Sequence, residues 1–222
     1  MTSAPHLIPV TLGSRSPRRQ QLLASILGEN RVLVTPPKNS EELLFDDIHE
    51  ITAIEARLRQ VVRMKQDDVT RQIPTSVTTS VVITADTLVI ARDSAGQPVV
   101  LGQPEVFRWQ EQTRIWLEQF LSGKTHSVWT CFRVSCGEQS HEEIVRSEVT
   151  FRPLSAAMID WYISTEESVG KAGGYAIQGH GASLVSGLTG SLTNVIGLPL
   201  MEVAAALREL GIPCLNHQSH NS

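Results

Sequence analysis

The chain has 222 residues, 41% of them apolar, and a formal net charge of −4. That supports a real core in one large domain or two small ones, and the mild acidity gives no electrostatic case for a nucleic-acid partner. No apolar run approaches a membrane span, the first residues do not read as a basic segment followed by an apolar one, and three cysteines (Cys131, Cys136 and Cys214) suit a reduced, cytoplasmic protein better than a disulfide framework.

Residues 7–12 predict a first strand, broken by Gly13 and by two serines, Ser14 and Ser16. Pro17 stands where the first helical residue belongs, Ser16 is its natural N-cap, and Leu22, Leu23, Ile26 and Leu27 give that helix an apolar face. A strand running through a small-residue turn into a helix start gathers free N–H groups and a positive dipole end at one point. Arg18 and Arg19 oppose that dipole, so they are either a solvated basic helix start or a pair sharing an anion with the helix end.

Residues 31–35 read as a second strand stopped by Pro36 and Pro37, and 38–47 as an acidic loop holding Glu41, Glu42, Asp46 and Asp47. From Ile48 the period turns helical, with Ile51, Ile54, Leu58 and Val61 in one stripe that reaches Lys65. A lysine there either snorkels to water or meets an anion in a cleft. Residues 66–79 predict a loop. The β-branched run 81–85 predicts a strand covered on both faces, ending at Asp86 and Thr87 before a second apolar run, 88–91. A carboxylate between two buried strand segments is expensive unless paired or bound to a cation. Residues 93–97 read as a hairpin turn into 99–101.

A helix over 110–121 follows, with Ile115, Leu117 and Phe120 expected in the core and Ser122-Gly123 ending it. Residues 125–135 and 142–151 predict a long, strongly bent antiparallel pair turning at 136–138, unlike a Rossmann unit. Ser155 caps a short helix through Tyr162. The run 170–181 then sets five glycines and Lys171 around a short apolar segment, which implies close backbone approach to a ligand or another strand. Neither a Walker motif nor a GxGxxG is present. Pro199 starts a last helix, closed by Gly211 with Pro213 beyond. Cys214, His217 and His220 are spaced like metal ligands, but they lie in a polar tail, 214–222, expected to fray.

Four segments together resemble the Maf family of nucleoside triphosphate pyrophosphatases, related in fold to the inosine triphosphatases. In order they are Gly13-Ser14-Arg15-Ser16-Pro17-Arg18-Arg19, Thr84-Ala85-Asp86-Thr87, Leu121-Ser122-Gly123-Lys124-Thr125-His126-Ser127-Val128-Trp129-Thr130, and the stretch from Lys171 through Leu200. The resemblance spans almost the whole chain. It implies a single α/β unit over 1–222: an elongated, bent mixed sheet with flanking helices and two lobes around a cleft. It also implies a homodimer, a divalent metal cation (Mg²⁺ or Mn²⁺), and hydrolysis of a nucleoside triphosphate to monophosphate and pyrophosphate.

Attack of water on the α-phosphorus requires the polyphosphate charge to be neutralised, the water oriented and the leaving group stabilised. Arg18, Arg19, Lys65 and Lys171 can supply the cations, and Ser14 lets the backbone approach the nucleotide. Asp86 is the candidate base, or a metal ligand, or both. Glu41 looks like the family's loop glutamate and is the second metal candidate, an oxygen set suited to Mg²⁺ or Mn²⁺. Arg18, Thr87 and Gln178 occupy the positions that divide the subfamilies. They are similar to the branch acting on dTTP and UTP, whereas the 7-methyl-GTP branch carries a tryptophan at the first. The amide of Gln178 offers the donor and acceptor that an imide edge requires. Two residues depart from the family pattern: Gln103 stands for a usual lysine and Gly170 for a usual aspartate. These departures keep a second reading open, a catalytically weakened nucleotide-binding regulator linked to cell division.

Overall fold

The computed structural model describes residues 8–38, 43–45, 48–74 and 80–214. Strand β1 (Val10–Gly13) enters helix α1 (Pro17–Leu27), whose Ser16 cap accepts from the Arg19 amide with proline in the first turn. Strand β2 (Val32–Val34) and the long helix α2 (Ile51–Gln72) follow. Strand β3 (Val81–Arg92) turns into β4 (Pro98–Leu101), and α3 (Trp109–Ile115) widens into a π-helical segment, Trp116–Leu121. Strands β5 (Thr125–Cys136) and β6 (Gln139–Phe151) pair along their whole length, and α4 (Ala156–Ser164) comes next, capped by Ser155. The chain closes with β7 (Val185–Thr189), α5 (Leu192–Ile196) and α6 (Leu200–Glu209).

The result is a seven-stranded mixed sheet in the order β2-β1-β3-β5-β6-β7, with β4 also on β3. Strands β1, β2 and β3 run parallel and every other pairing is antiparallel. Three buried clusters hold helices to it. On one face, α1 and α6 cover Val10, Leu12, Val81, Ile83 and Ala85. On the other, Ile54, Leu58 and Val62 of α2, each one helical turn apart, cover Leu88, Ile90 and Trp129. A third cluster joins the π segment and α4 to Val89, Val128 and Phe151.

Strand β3 organises the functional region. Its one edge pairs with β5 from Val81 to Ile90. The other edge is shared: β1 takes residues 81–84 and β4 takes 89–92, so residues 85–88 face a gap between two strands. The expected strand end at Asp86 is therefore wrong. Asp86 sits in the middle of one continuous strand, and what made it look terminal is the gap in the ladder, which admits polar groups within a buried run.

Two other expectations fail for identifiable reasons. Residues 66–72 are helix, not loop. Gln66 is buried there by hydrogen bonds to Thr84, Val82 and Ser135, and a buried polar residue breaks the apolar stripe that marks a helix. In 110–121, Leu117 is buried as expected and Phe120 packs against the core, but Ile115 is exposed while Trp116 and Leu121 are buried. The Ser122 amide reaches back five residues to the Leu117 carbonyl, and this wide turn shifts the buried face out of α-helical phase.

Candidate functional site

A cavity of about 910 Å³ opens at the gap in β3. The small-residue turn after β1 and the start of α1 bring Ser14, Arg18 and Arg19 to it. Lys65 comes from α2, Asp86 and Thr87 from β3, and Lys171 and Gln178 from the glycine-rich segment. The structure thus brings together every site residue expected from the sequence within the described regions. Glu41 lies outside the described residues, as do His217 and His220.

Successive residues of a strand point to opposite faces, and the cavity wraps the open edge to reach both. Asp86 lies on the α2 face, where Lys65 Nζ donates to its Oδ1 at 2.7 Å. Lys65 does not snorkel to water: it meets an anion in the cleft, Asp86, and the two side chains are only 18% and 17% exposed. The next residue, Gln66, grips Thr84, two residues before Asp86, so the same helix–strand contact sets both partners of the pair.

Thr87 lies on the α1 face and shares a hydrogen bond with Thr130, whose hydroxyl also meets the Asn194 carbonyl. Arg19 ties this face together. Its Nε donates to the Gly197 carbonyl at 2.8 Å, Nη1 to the Ala85 carbonyl at 2.9 Å and to Ser14 Oγ at 3.3 Å, and Nη2 to Thr87 Oγ1 at 3.0 Å. The Ala85 carbonyl belongs to the unpaired edge of β3, so the guanidinium supplies what a neighbouring strand would have given. These contacts make Arg19 a cross-brace of the cavity wall.

Arg18 and Lys171 have another character. Burial lowers the pKa of each, and Arg18 lowers that of Lys171 further, while the charge of Glu167 works in the opposite direction on both. Two partly desolvated cations repelling each other at the cavity wall form a site that gains from an incoming anion. The buried Cys131 thiol is pushed up to about 12, chiefly by desolvation, and so stays protonated rather than acting as a nucleophile.

Gln103 and Gly170 also line the cavity. Their segments are joined by a hydrogen bond from the Gly173 amide to the Gly102 carbonyl at 2.9 Å. Gly170 has φ +68° with open space where a Cβ would stand, so an aspartate there meets a backbone penalty but no collision. Among the described residues no three His, Cys, Asp or Glu side chains cluster as a metal cage. Among the described lining residues the carboxylates are Asp67, Asp68 and Asp86, and Asp86, at the gap in β3, offers oxygen ligands of the kind that a hard cation takes.

The sequence reading missed Glu167 and Tyr162. Glu167 accepts from the amides of His180 and Gly181 and from the Tyr162 hydroxyl, fastening the loop that carries Gln178. A glutamate in a polar turn after a helix carries no sequence signal that separates it from a solvated one.

The family model for the Maf-like protein matches residues 9–210. A protein of Pyrococcus furiosus named dTTP/UTP pyrophosphatase is 37% identical over 202 residues, covering 91% of this chain and 95% of its own. Proteins with the same name from Myxococcus xanthus and an Anaeromyxobacter species are 37% and 38% identical over 204 and 209 residues, covering 92% of this chain in each case and 93% and 90% of their own.

Proposed function

Because this chain belongs to the Maf-like protein family, we propose from the cavity and the names of its relatives that it is a pyrophosphatase that hydrolyses dTTP and UTP to the monophosphate and pyrophosphate. The observation that carries the reading is the Lys65–Asp86 pair, set at the open edge of β3 in the same cavity as two desolvated cations.

The cavity is of the size that holds a nucleotide-sized ligand. Arg18 and Lys171 bind the polyphosphate and relieve their mutual repulsion in doing so. A carboxylate has about four acceptor positions, and Lys65 takes one on Oδ1, which fixes the orientation of Asp86 and leaves others for water. Asp86 takes a proton from that water as its oxygen bonds to the α-phosphorus. The bond from the α-phosphorus to the bridging oxygen breaks, and pyrophosphate leaves with the electron pair. Asp86 would hold a Mg²⁺ or Mn²⁺ ion arriving with the triphosphate, which would supply charge neutralisation and acidify water. Gln178 reads the imide edge of uracil or thymine. The working form is a homodimer.

Incubation with UTP, dTTP, CTP and 7-methyl-GTP plus Mg²⁺, assayed for pyrophosphate, tests the proposal. Release from UTP and dTTP well above the other two is expected. Binding without release from any of them would refute catalysis and favour a nucleotide-binding regulator.

A further inference from the structure

We propose that Glu167 and Tyr162 clamp both ends of the 176–181 loop and so position Gln178, which makes them determinants of base selectivity that do not touch the base. The proposal rests on the reading of Gln178 as the residue that meets the base.

The loop is tied at each end. The Ala176 amide donates to Tyr162 Oη at 3.3 Å, and the His180 and Gly181 amides donate to Glu167 Oε1 at 2.9 Å and Oε2 at 2.8 Å. Tyr162 Oη in turn donates to Glu167 Oε2 at 3.2 Å, which links the two ties into one unit. Between them the Gly179 amide closes a turn onto the Ala176 carbonyl. Gln178 stands on that turn, exposed and lining the cavity.

The space around the carboxylate is filled. A Cβ at Gly179 would lie 1.6 Å from Glu167 Oε1, so this glycine is needed for close approach rather than for its backbone angles. The residue before Glu167 is also unusual: Glu166 has φ 57°, the one positive value at a non-glycine residue among those described. Such a conformation is held only where its surroundings enforce it. Tyr162 is fully buried, so its hydroxyl is a fixed point. An untied six-residue loop with two glycines would spread Gln178 over many positions, and selectivity by hydrogen bonding needs one. The charge of Glu167 also raises the pKa of Arg18 and of Lys171, so the carboxylate that fastens the loop acts on both cavity cations as well.

Two variants test this. Glu167→Gln keeps the size but offers one acceptor oxygen, so one of the two amides loses its partner. Tyr162→Phe removes the other tie and keeps the ring in the core. The kcat/KM ratio of UTP over CTP should fall roughly five- to tenfold in each. In a Gln178→Ala background neither change should lower the ratio further. Amide hydrogen exchange at His180 and Gly181 should accelerate in Glu167→Gln. A wild-type ratio in both variants, with only thermal stability reduced, would overturn the proposal, because a purely structural role lowers activity on all substrates alike. Unchanged exchange at both amides would also overturn it. Should the wild-type protein itself show no preference for UTP over CTP, the base-reading role of Gln178 fails, and the exchange measurement still decides whether the clamp exists.

Discussion

Replacing Asp86 by asparagine separates the two things its carboxylate does. The Lys65 contact is short and both side chains are less than a fifth exposed, so losing the charge leaves an ammonium facing a neutral amide in a half-dry site. A hydrogen bond between charged groups contributes about 1.5–3 kcal/mol, and orphaning one member of a fully buried pair costs about 3–5 kcal/mol. This pair keeps some access to water, which places the expected loss near 2 kcal/mol, a fall in Tm of about 4–8 °C for a chain of this length. Activity should drop much more, by roughly 10²–10⁴ in kcat if Asp86 acts as the base. Nucleotide affinity should hold or improve, since a negative charge near the phosphates is gone. The double variant Lys65→Met/Asp86→Asn removes the orphaned ammonium and should recover much of the lost Tm while staying inactive. Thermal melts, calorimetric titration with UTP and pyrophosphate release on the three proteins give all these quantities. Near-normal release from Asp86→Asn would refute the role of Asp86, whatever happens to stability.

Gln178→Glu replaces the amide donor by a charge and should disfavour UTP and dTTP by about 1–3 kcal/mol relative to other triphosphates, read as a change in kcat/KM ratios. Burial lowers the pKa of His126 to about 4, and its ring donates to or accepts from Tyr175 while Nδ1 has no hydrogen-bond partner among the described residues. The folded ring stays neutral until pH nears 4, whereas the unfolded chain's ring protonates near 6.5, so stability falls as pH drops through that window and is fully present above it. Denaturant melts between pH 7 and 4 should show that slope, and His126→Gln should flatten it. Gly170→Asp should cost about 1 kcal/mol through its positive φ, and Gln103→Lys should cost little. If the two positions act as a coupled ion pair, the double variant will release pyrophosphate faster than either single variant predicts, and additive rates will show that they act separately.

What could be read from the sequence was chemistry that is settled within a few residues. Pro17 and Ser16 announce a helix start because ring geometry and a side-chain cap act locally, and the same holds for Ser155. The run 81–85 announces a covered strand because every one of its side chains is apolar or β-branched, and all five are buried. The motif residues were legible as a set because four segments together resemble one family whose chemistry their types suit, and the cavity gathers those in the described regions. Their division of labour was not. Arg18 and Arg19 are adjacent and chemically identical, yet one lines the cavity as a partly desolvated cation that repels Lys171 and the other braces Ser14, Ala85, Thr87 and Gly197.

The difference between those arginines follows from the gap in β3, a feature of topology rather than of composition. Where β1 stops at the level of Thr84 and β4 begins at Val89, four residues of a central strand lack a neighbour on one side. The Ala85 carbonyl there must be satisfied, and Arg19 does so at 2.9 Å. Asp86 and Thr87 become accessible from the cavity on opposite faces. Glu167 obeys the same logic: its carboxylate acquires meaning only when the chain returns with the amides of His180 and Gly181. A lysine placed at Arg19 keeps the charge but has no planar fork to reach Ala85, Thr87 and Gly197 together, so the wall it braces depends on that residue being arginine.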